Sequence, residues 1–274
     1  ADNIIILARR KPISDVPEAR FGSMPNDNGF LLFADAKSKD EFIAKEPRAE
    51  KYIRPLISAR EYLNGEMRYC LWLKNVAMEE VRQLPEVMKK IEAVRTFRLI
   101  SKRRTTNKLA ETSYLFGEDR QPTADYILIP LHSSENRKYI PFSFYSDVNI
   151  VHNSCASVQD ASLYHLGIMQ SLIHMAWVRA VCGRIKSDFR YSNELVYNNF
   201  PWPENVSDND RKEIETNAQA VLDARTSHSG ATLADLYDPL AMPKDLLDAH
   251  KALDRAVDRA YGAGGFVNEP KRLE

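Results

Sequence analysis

Between Asp160 and Arg179 lie eighteen consecutive residues without a formal charge, Ala161 to Val178, the longest such run in the chain. A bilayer-crossing helix needs about 20 mostly apolar residues. This run is shorter and is broken by His165, Gln170, Ser171 and His174. It therefore predicts a buried core helix, opened by an N-cap at Ser157 with Asp160 and carrying Leu163, Leu166, Ile173, Trp177 and Ala180. A chain organised around such a helix is globular.

The remainder of the second half carries helical signals throughout. Ser207 with Asp210 caps a segment bearing Ile214, Ala218 and Val221. Pro243 opens another, with Leu246, His250, Leu253 and Val257 on one face and Gly262 placed to end it. Asn198-Asn-Phe-Pro-Trp-Pro-Glu204 holds two prolines and reads as an extended crossing. After Gly262 a frayed, glycine-rich tail is expected.

The first half alternates strands with short helices. Ile4–Leu7, Phe30–Phe33, Tyr69–Leu73, Tyr126–Ile129 and Tyr139–Tyr145 are rich in β-branched and aromatic residues. Ser38-Lys-Asp-Glu41 is a capping box, and Pro85 precedes a face of Leu84, Val87, Ile91 and Val94. The fold class is α+β: a mixed strand and helix region followed by an all-helical one. The chain opens on Ala1-Asp-Asn3 with no methionine, basic n-region or cleavage site. It reads as an excised piece of a larger protein, with Ala1–Asn3 an appended remnant.

Thirty-eight basic and 38 acidic residues balance, but not locally. Residues 1–154 hold 25 Lys/Arg against 21 Asp/Glu, and residues 155–274 hold 13 against 17. From Lys89 to Lys108 stand Lys89, Lys90, Arg95, Arg98, Lys102, Arg103, Arg104 and Lys108 against Glu92 alone. Such a run suits a phosphate backbone, although a solvated helix face explains it equally well.

Most catalytic chemistries find no foothold. The six histidines never fall into metal-ligand spacing, and Cys70, Cys155 and Cys182 form no CxxC pair. Three thiols without a disulfide pattern fit a reducing, cytoplasmic setting. No nucleophile elbow, phosphate loop or glycine-rich cofactor turn occurs, nor an Asn-Pro-Pro-Tyr type tetrapeptide of amino-methyltransferases. One enzymatic alternative remains, a Mg²⁺-dependent nuclease in which Asp27 and Asp35 hold the metal and Lys37 orients water. A helical scaffold for a partner protein is another.

Leu131-His-Ser-Ser-Glu-Asn-Arg-Lys-Tyr-Ile-Pro141 places Glu135, Asn136 and Arg137 in a polar turn between strand-like runs. Arg can grip guanine O6 and N7, Glu can accept from cytosine N4, and Asn can pair with adenine. The turn is a candidate major-groove reader, with a salt-bridged hairpin as its plain alternative.

Six stretches then form an ordered set: Lys51-Tyr-Ile-Arg-Pro-Leu-Ile57, Arg68-Tyr-Cys-Leu-Trp-Leu73, Ser133–Pro141, Ser192–Pro203, Leu236–Pro243 and Leu253–Gly262. Together they resemble the C-terminal third of MmeI-like, type IIL/IIG restriction–modification enzymes. In those single polypeptides a nuclease and an adenine-N6 methyltransferase precede a target recognition domain and a helical C-terminal region. The resemblance implies a target recognition domain over residues 1–152 and a helical domain over 153–274. It implies base-reading roles for Glu135 and Arg137, with Tyr139 a further candidate, and for Lys102 and Arg103, with Arg104 interchangeable. Lys89, Lys90 and Lys108 would neutralise phosphates of double-stranded DNA. No cofactor is expected in this chain; S-adenosylmethionine and Mg²⁺ would serve the upstream methyltransferase and nuclease domains.

Overall fold

The computed structural model describes residues 5–262 and 264–274. Ala1–Asn3 and Ile4 lie outside that set; Ile5–Leu7 form no strand. Among the described residues eleven strands occur in chain order: β1 (Ala19–Phe21), β2 (Leu32–Phe33), β3 (Ile53–Ile57), β4 (Arg68–Leu71), β5 (Tyr126–Pro130), β6 (His132–Ser133), β7 (Ser143–Tyr145), β8 (Ile150–Val151), β9 (Cys155–Gln159), β10 (Gly183–Ile185) and β11 (Asp188–Arg190). The chain divides into two compact units.

The first unit spans Phe21–Pro122 and Ser146–Cys155. Its sheet runs β2-β4-β3-β8, antiparallel except for the parallel β3–β8 pair. The helix Pro85–Leu99 buries the expected face of Val87, Ile91 and Val94 in a core with Leu31, Phe33, Leu56 and Leu71. Arg98 continues that face and is itself fully buried. The helix Ala36–Lys45 is capped three residues ahead of the expected box, because the Asp35 carboxylate accepts from the Ser38 amide at 2.7 Å.

The second unit comprises the residues up to Arg20, Thr123–Tyr145 and Ala156–Glu274. It holds the sheets β1-β9-β5-β7 and β10-β11-β6. The helices Asp208–Ser227 and Lys244–Ala260 pack against each other, and Leu163–Met169 packs on the former. Gly167 permits that approach: a Cβ there would lie 2.7 Å from Ile214 Cγ2. Ser207 caps one long helix and Pro243 precedes the other, as their sequences predict.

The uncharged stretch is not one helix. Cys155–Gln159 forms β9, Ser162 rather than Ser157 starts Leu163–Met169, and Ser171 caps a separate Leu172–Val181. The break falls where buried polar groups replace helix bonds. Arg225 donates to the Gln170 side-chain oxygen, and Asp254 Oδ1 accepts from the Leu172 amide at 2.7 Å. Strands β9, β10 and β11 also correct the expectation of a purely helical chain from residue 153. The all-helical part comprises Asp208–Ser227, Leu233–Leu236, Lys244–Ala260 and Glu269–Leu273. The last of these replaces the expected frayed end: Asn268 caps it, and Arg272 pairs with Asp258 at 3.0 Å. No helix among the described residues is long and apolar enough to cross a membrane.

Candidate nucleic-acid interface

The basic run of Lys89–Lys108 separates into structural and free cations. Arg98 is spent entirely on the backbone. Its guanidinium donates to the carbonyls of Pro25, Asn26, Leu109, Thr112 and Leu115 at 2.8–3.0 Å. Lys90 is half-buried, donates to Phe30 O at 2.8 Å and lies over the Phe33 and Phe42 rings. Burial lowers the pKa of both groups. Lys90 is therefore a packing cation, which corrects its assignment as a phosphate ligand. Lys89 is exposed and pairs with Glu86 at 2.6 Å; Arg95 pairs with Glu92.

Lys102, Arg103, Arg104 and Lys108 differ. All four are exposed, and none forms an ion pair among the described residues. They occupy the turn after Leu99 and the short helix Arg104–Lys108. Asn107 fixes that turn, its amide donating to the carbonyls of Arg98, Leu99 and Ser101 at 2.8–3.0 Å. Arg98 anchors the following segment through Leu109 and Thr112. The result is a pinned loop presenting four free positive charges, which suits a phosphate backbone.

The polar turn lies in the other unit and grows out of β6, which pairs antiparallel with β11. Glu135 and Asn136 are exposed, and Arg137 is partly buried. Glu135 N donates to Asp188 Oδ1 at 3.2 Å, Asn136 N to Ser134 Oγ at 3.3 Å, and Arg137 Nη1 to Ser133 Oγ at 3.2 Å. Burial lowers the Arg137 pKa, opposed by Asp188 and Asp238. Arg137 and Asn136 also line a cleft of about 730 Å³ walled by Ala234, Asp235 and residues 237–241. The Glu135, Asn136 and Arg137 side chains thus stand on a short, hydrogen-bonded turn rather than on a loose loop.

Tyr139 does not belong to that surface. It is fully buried, bonded to Asp254 and stacked on His250 with centroids 4.0 Å apart. This corrects its candidacy as a base reader: no part of its ring is open to a groove. The strand expected over Tyr139–Tyr145 reduces to Ser143–Tyr145, with Tyr139–Phe142 as buried irregular backbone.

The nuclease alternative also fails on geometry. Asp27 is buried and accepts from the amides of Gly29 and Leu31 at 3.0 and 2.7 Å. Asp35 caps a helix, and Lys37 pairs with Glu41 at 3.9 Å. Among the described residues no group of three or more His, Cys, Asp or Glu could hold a metal ion.

The sequence reading missed the hairpin β10–β11, whose Arg184 reaches Glu135 Oε2 at 3.4 Å. The alternation Arg184-Ile-Lys-Ser-Asp-Phe-Arg190 was its available signal.

Against known families, the target recognition domain model of MmeI matches residues 1–204, and the C-terminal domain model of MmeI matches residues 206–274. The chain belongs to the MmeI family. The junction between the two MmeI domains falls after the Asn198–Glu204 crossing, just before the helix Asp208–Ser227. DNA methyltransferase A of Bacillus subtilis (strain 168) is 42% identical over 273 residues, covering 100% of this chain and 31% of that protein. A solved structure of the type IIL restriction–modification enzyme MmeI in complex with DNA is 40% identical. It superposes with a TM-score of 0.96 over 99% of this chain and 36% of its own. The chain thus spans about a third of the length of these relatives.

Proposed function

We propose that this chain reads a base sequence in duplex DNA on behalf of a larger restriction–modification polypeptide. The observation that carries the proposal is the exposed Glu135-Asn136 turn with Arg137 at its edge, braced by β6 and β11. Carboxylate, amide and guanidinium supply the acceptor and donor patterns that distinguish base edges in a major groove. Lys102, Arg103, Arg104 and Lys108 on their pinned loop supply the sequence-independent part, counter-charge for phosphates. The solved MmeI relative is a DNA complex, which supports the same ligand class. Methyl transfer and cleavage, with their S-adenosylmethionine and Mg²⁺, are assigned to other domains of the polypeptide, as is the adenine specificity of the methyl transfer.

Selection from a library of duplexes with a randomised core, using the intact polypeptide, tests this reading. Arg137→Ala should relax preference at one base pair by about 10- to 100-fold. Lys102→Ala with Lys108→Ala should weaken retention evenly across sequences and flatten the salt dependence by about 0.9 in slope per lost phosphate contact. Unchanged selections and salt slopes in both variants would overturn the proposal.

A further inference from the structure

We infer that the hairpin β10–β11 is the second half of the reading element, with Arg184 and Asp188 acting as specificity-determining residues that position Glu135. The inference rests on the proposed DNA-reading role of the turn and adds residues from a different stretch of chain, some fifty positions later.

The geometry is a two-point grip. Asp188 Oδ1 accepts from the Glu135 amide at 3.2 Å, fixing the backbone of the turn. Arg184 Nη1 reaches Glu135 Oε2 at 3.4 Å, fixing the carboxylate. Arg184 is held in turn: it donates to Ser187 O at 2.9 Å and stacks over the Phe189 ring at 4.2 Å. Phe189 is buried and pairs in register with both Arg184 and Ser133, and Ser133 Oγ accepts from Arg137. One cross-strand row thereby connects the supports of Glu135 and Arg137.

The chemistry follows from charge. A carboxylate brought into a DNA groove meets the repulsion of phosphates on both sides. Arg184 offsets that repulsion and occupies Oε2, while Oε1 has no partner among the described residues. The free oxygen can accept from an exocyclic amine, cytosine N4 or adenine N6. The surroundings reinforce the field: His132–Lys138 and Gly183–Arg190 together hold Arg137, Lys138, Arg184, Lys186 and Arg190 against Glu135 and Asp188. Lys186, at the hairpin tip with φ +55°, and Arg190 are exposed and unpaired among the described residues, as phosphate ligands should be. A two-stranded ribbon is also a shape the major groove admits.

The test uses the intact polypeptide and the randomised duplex library, with Glu135→Ala as reference. Arg184→Ala and Asp188→Ala should each blur the same base-pair column that Glu135→Ala blurs. Asp188→Asn, which keeps an oxygen for the Glu135 amide, should retain that column. Lys186→Ala with Arg190→Ala should leave the selected sequence intact and lower the salt slope by about 1–2. Lys251→Ala, on a helix where it pairs with Asp248 at 3.2 Å, should change neither. The hairpin assignment falls if Glu135→Ala blurs a column while Arg184→Ala and Asp188→Ala, at unchanged melting temperature, leave it sharp or blur another. If Glu135→Ala and Arg137→Ala both leave the selection unchanged, the DNA-reading role itself fails and takes the hairpin with it.

Discussion

The Tyr139 hydroxyl donates to Asp254 Oδ2 at 2.6 Å, joining residues 115 positions apart beneath the polar turn. The other Asp254 oxygen accepts from the Leu172 amide at the start of a helix. One buried carboxylate therefore ties three segments of the same unit together: the segment after the turn, the broken apolar stretch and the helix Lys244–Ala260.

That carboxylate should make stability fall as pH rises. Burial pushes the Asp254 pKa up to about 6, with Asp258 adding to the rise and Tyr139, Leu172 and Lys138 opposing it. Below the unfolded value near 3.8 both states are protonated. Between there and about 6 the unfolded state loses its proton first, so this contribution declines and levels off above pH 6. Asp254→Asn should remove that decline, and melting temperatures of the two proteins across the interval would show it. Parallel curves would refute the assignment.

His174 should act in the opposite direction. It is fully buried, contacts Tyr191 Oη at 3.0 Å, and burial pushes its pKa down to about 3. An unfolded histidine charges near 6.5, so stability is lost as pH drops from there towards 3. His174→Leu should flatten this acid limb, measured by urea unfolding at stepped pH. An identical limb in the variant would count against it.

Arg98 should be among the costliest residues to truncate. Arg98→Ala would remove five hydrogen bonds to backbone carbonyls and open a cavity, a loss of about 3 kcal/mol or more. Arg98→Lys should recover only part, because an ammonium offers three donors against the five of a guanidinium. Equilibrium unfolding decides this; a loss below about 1 kcal/mol for Arg98→Ala would contradict it.

Gly167 should resist even a methyl group. Its Cβ would fall 2.7 Å from Ile214 Cγ2, 3.2 Å from Ala218 Cβ and 3.3 Å from Leu253 Cδ1. Overpacking of this kind costs about 1–3 kcal/mol, more than the helix propensity gained from alanine. Gly167→Ala should lower the denaturant midpoint, and a raised midpoint would overturn the packing argument.

Much of the architecture was legible because its signals are local. Caps at Ser207, the helix start after Pro243 and the stop at Gly262 depend on residues within one turn of each other. The apolar face of Val87, Ile91 and Val94 depends only on helical periodicity. The polar turn at Glu135 was legible too, as a run of polar residues between two strand-like ones.

Charge was the least legible property. Arg98, Lys90 and Lys102 look alike in the basic run, yet one satisfies five carbonyls, one covers aromatic rings and one stands free. Tyr139 misled for the same reason: the residues just before it, Glu135, Asn136 and Lys138, are exposed, while its ring faces Asp254 and His250.

The sequence by itself determined the three long helices Pro85–Leu99, Asp208–Ser227 and Lys244–Ala260, where they begin, and the family to which the chain belongs. Only the tertiary structure decided which cations are free, that the uncharged stretch breaks at Gln170 and Ser171, and that Arg184 of a distant hairpin meets Glu135. The reason is physical: helix periodicity and capping act between residues a few positions apart. Burial of a charge and the partner of a polar atom depend instead on which remote segments fold against it.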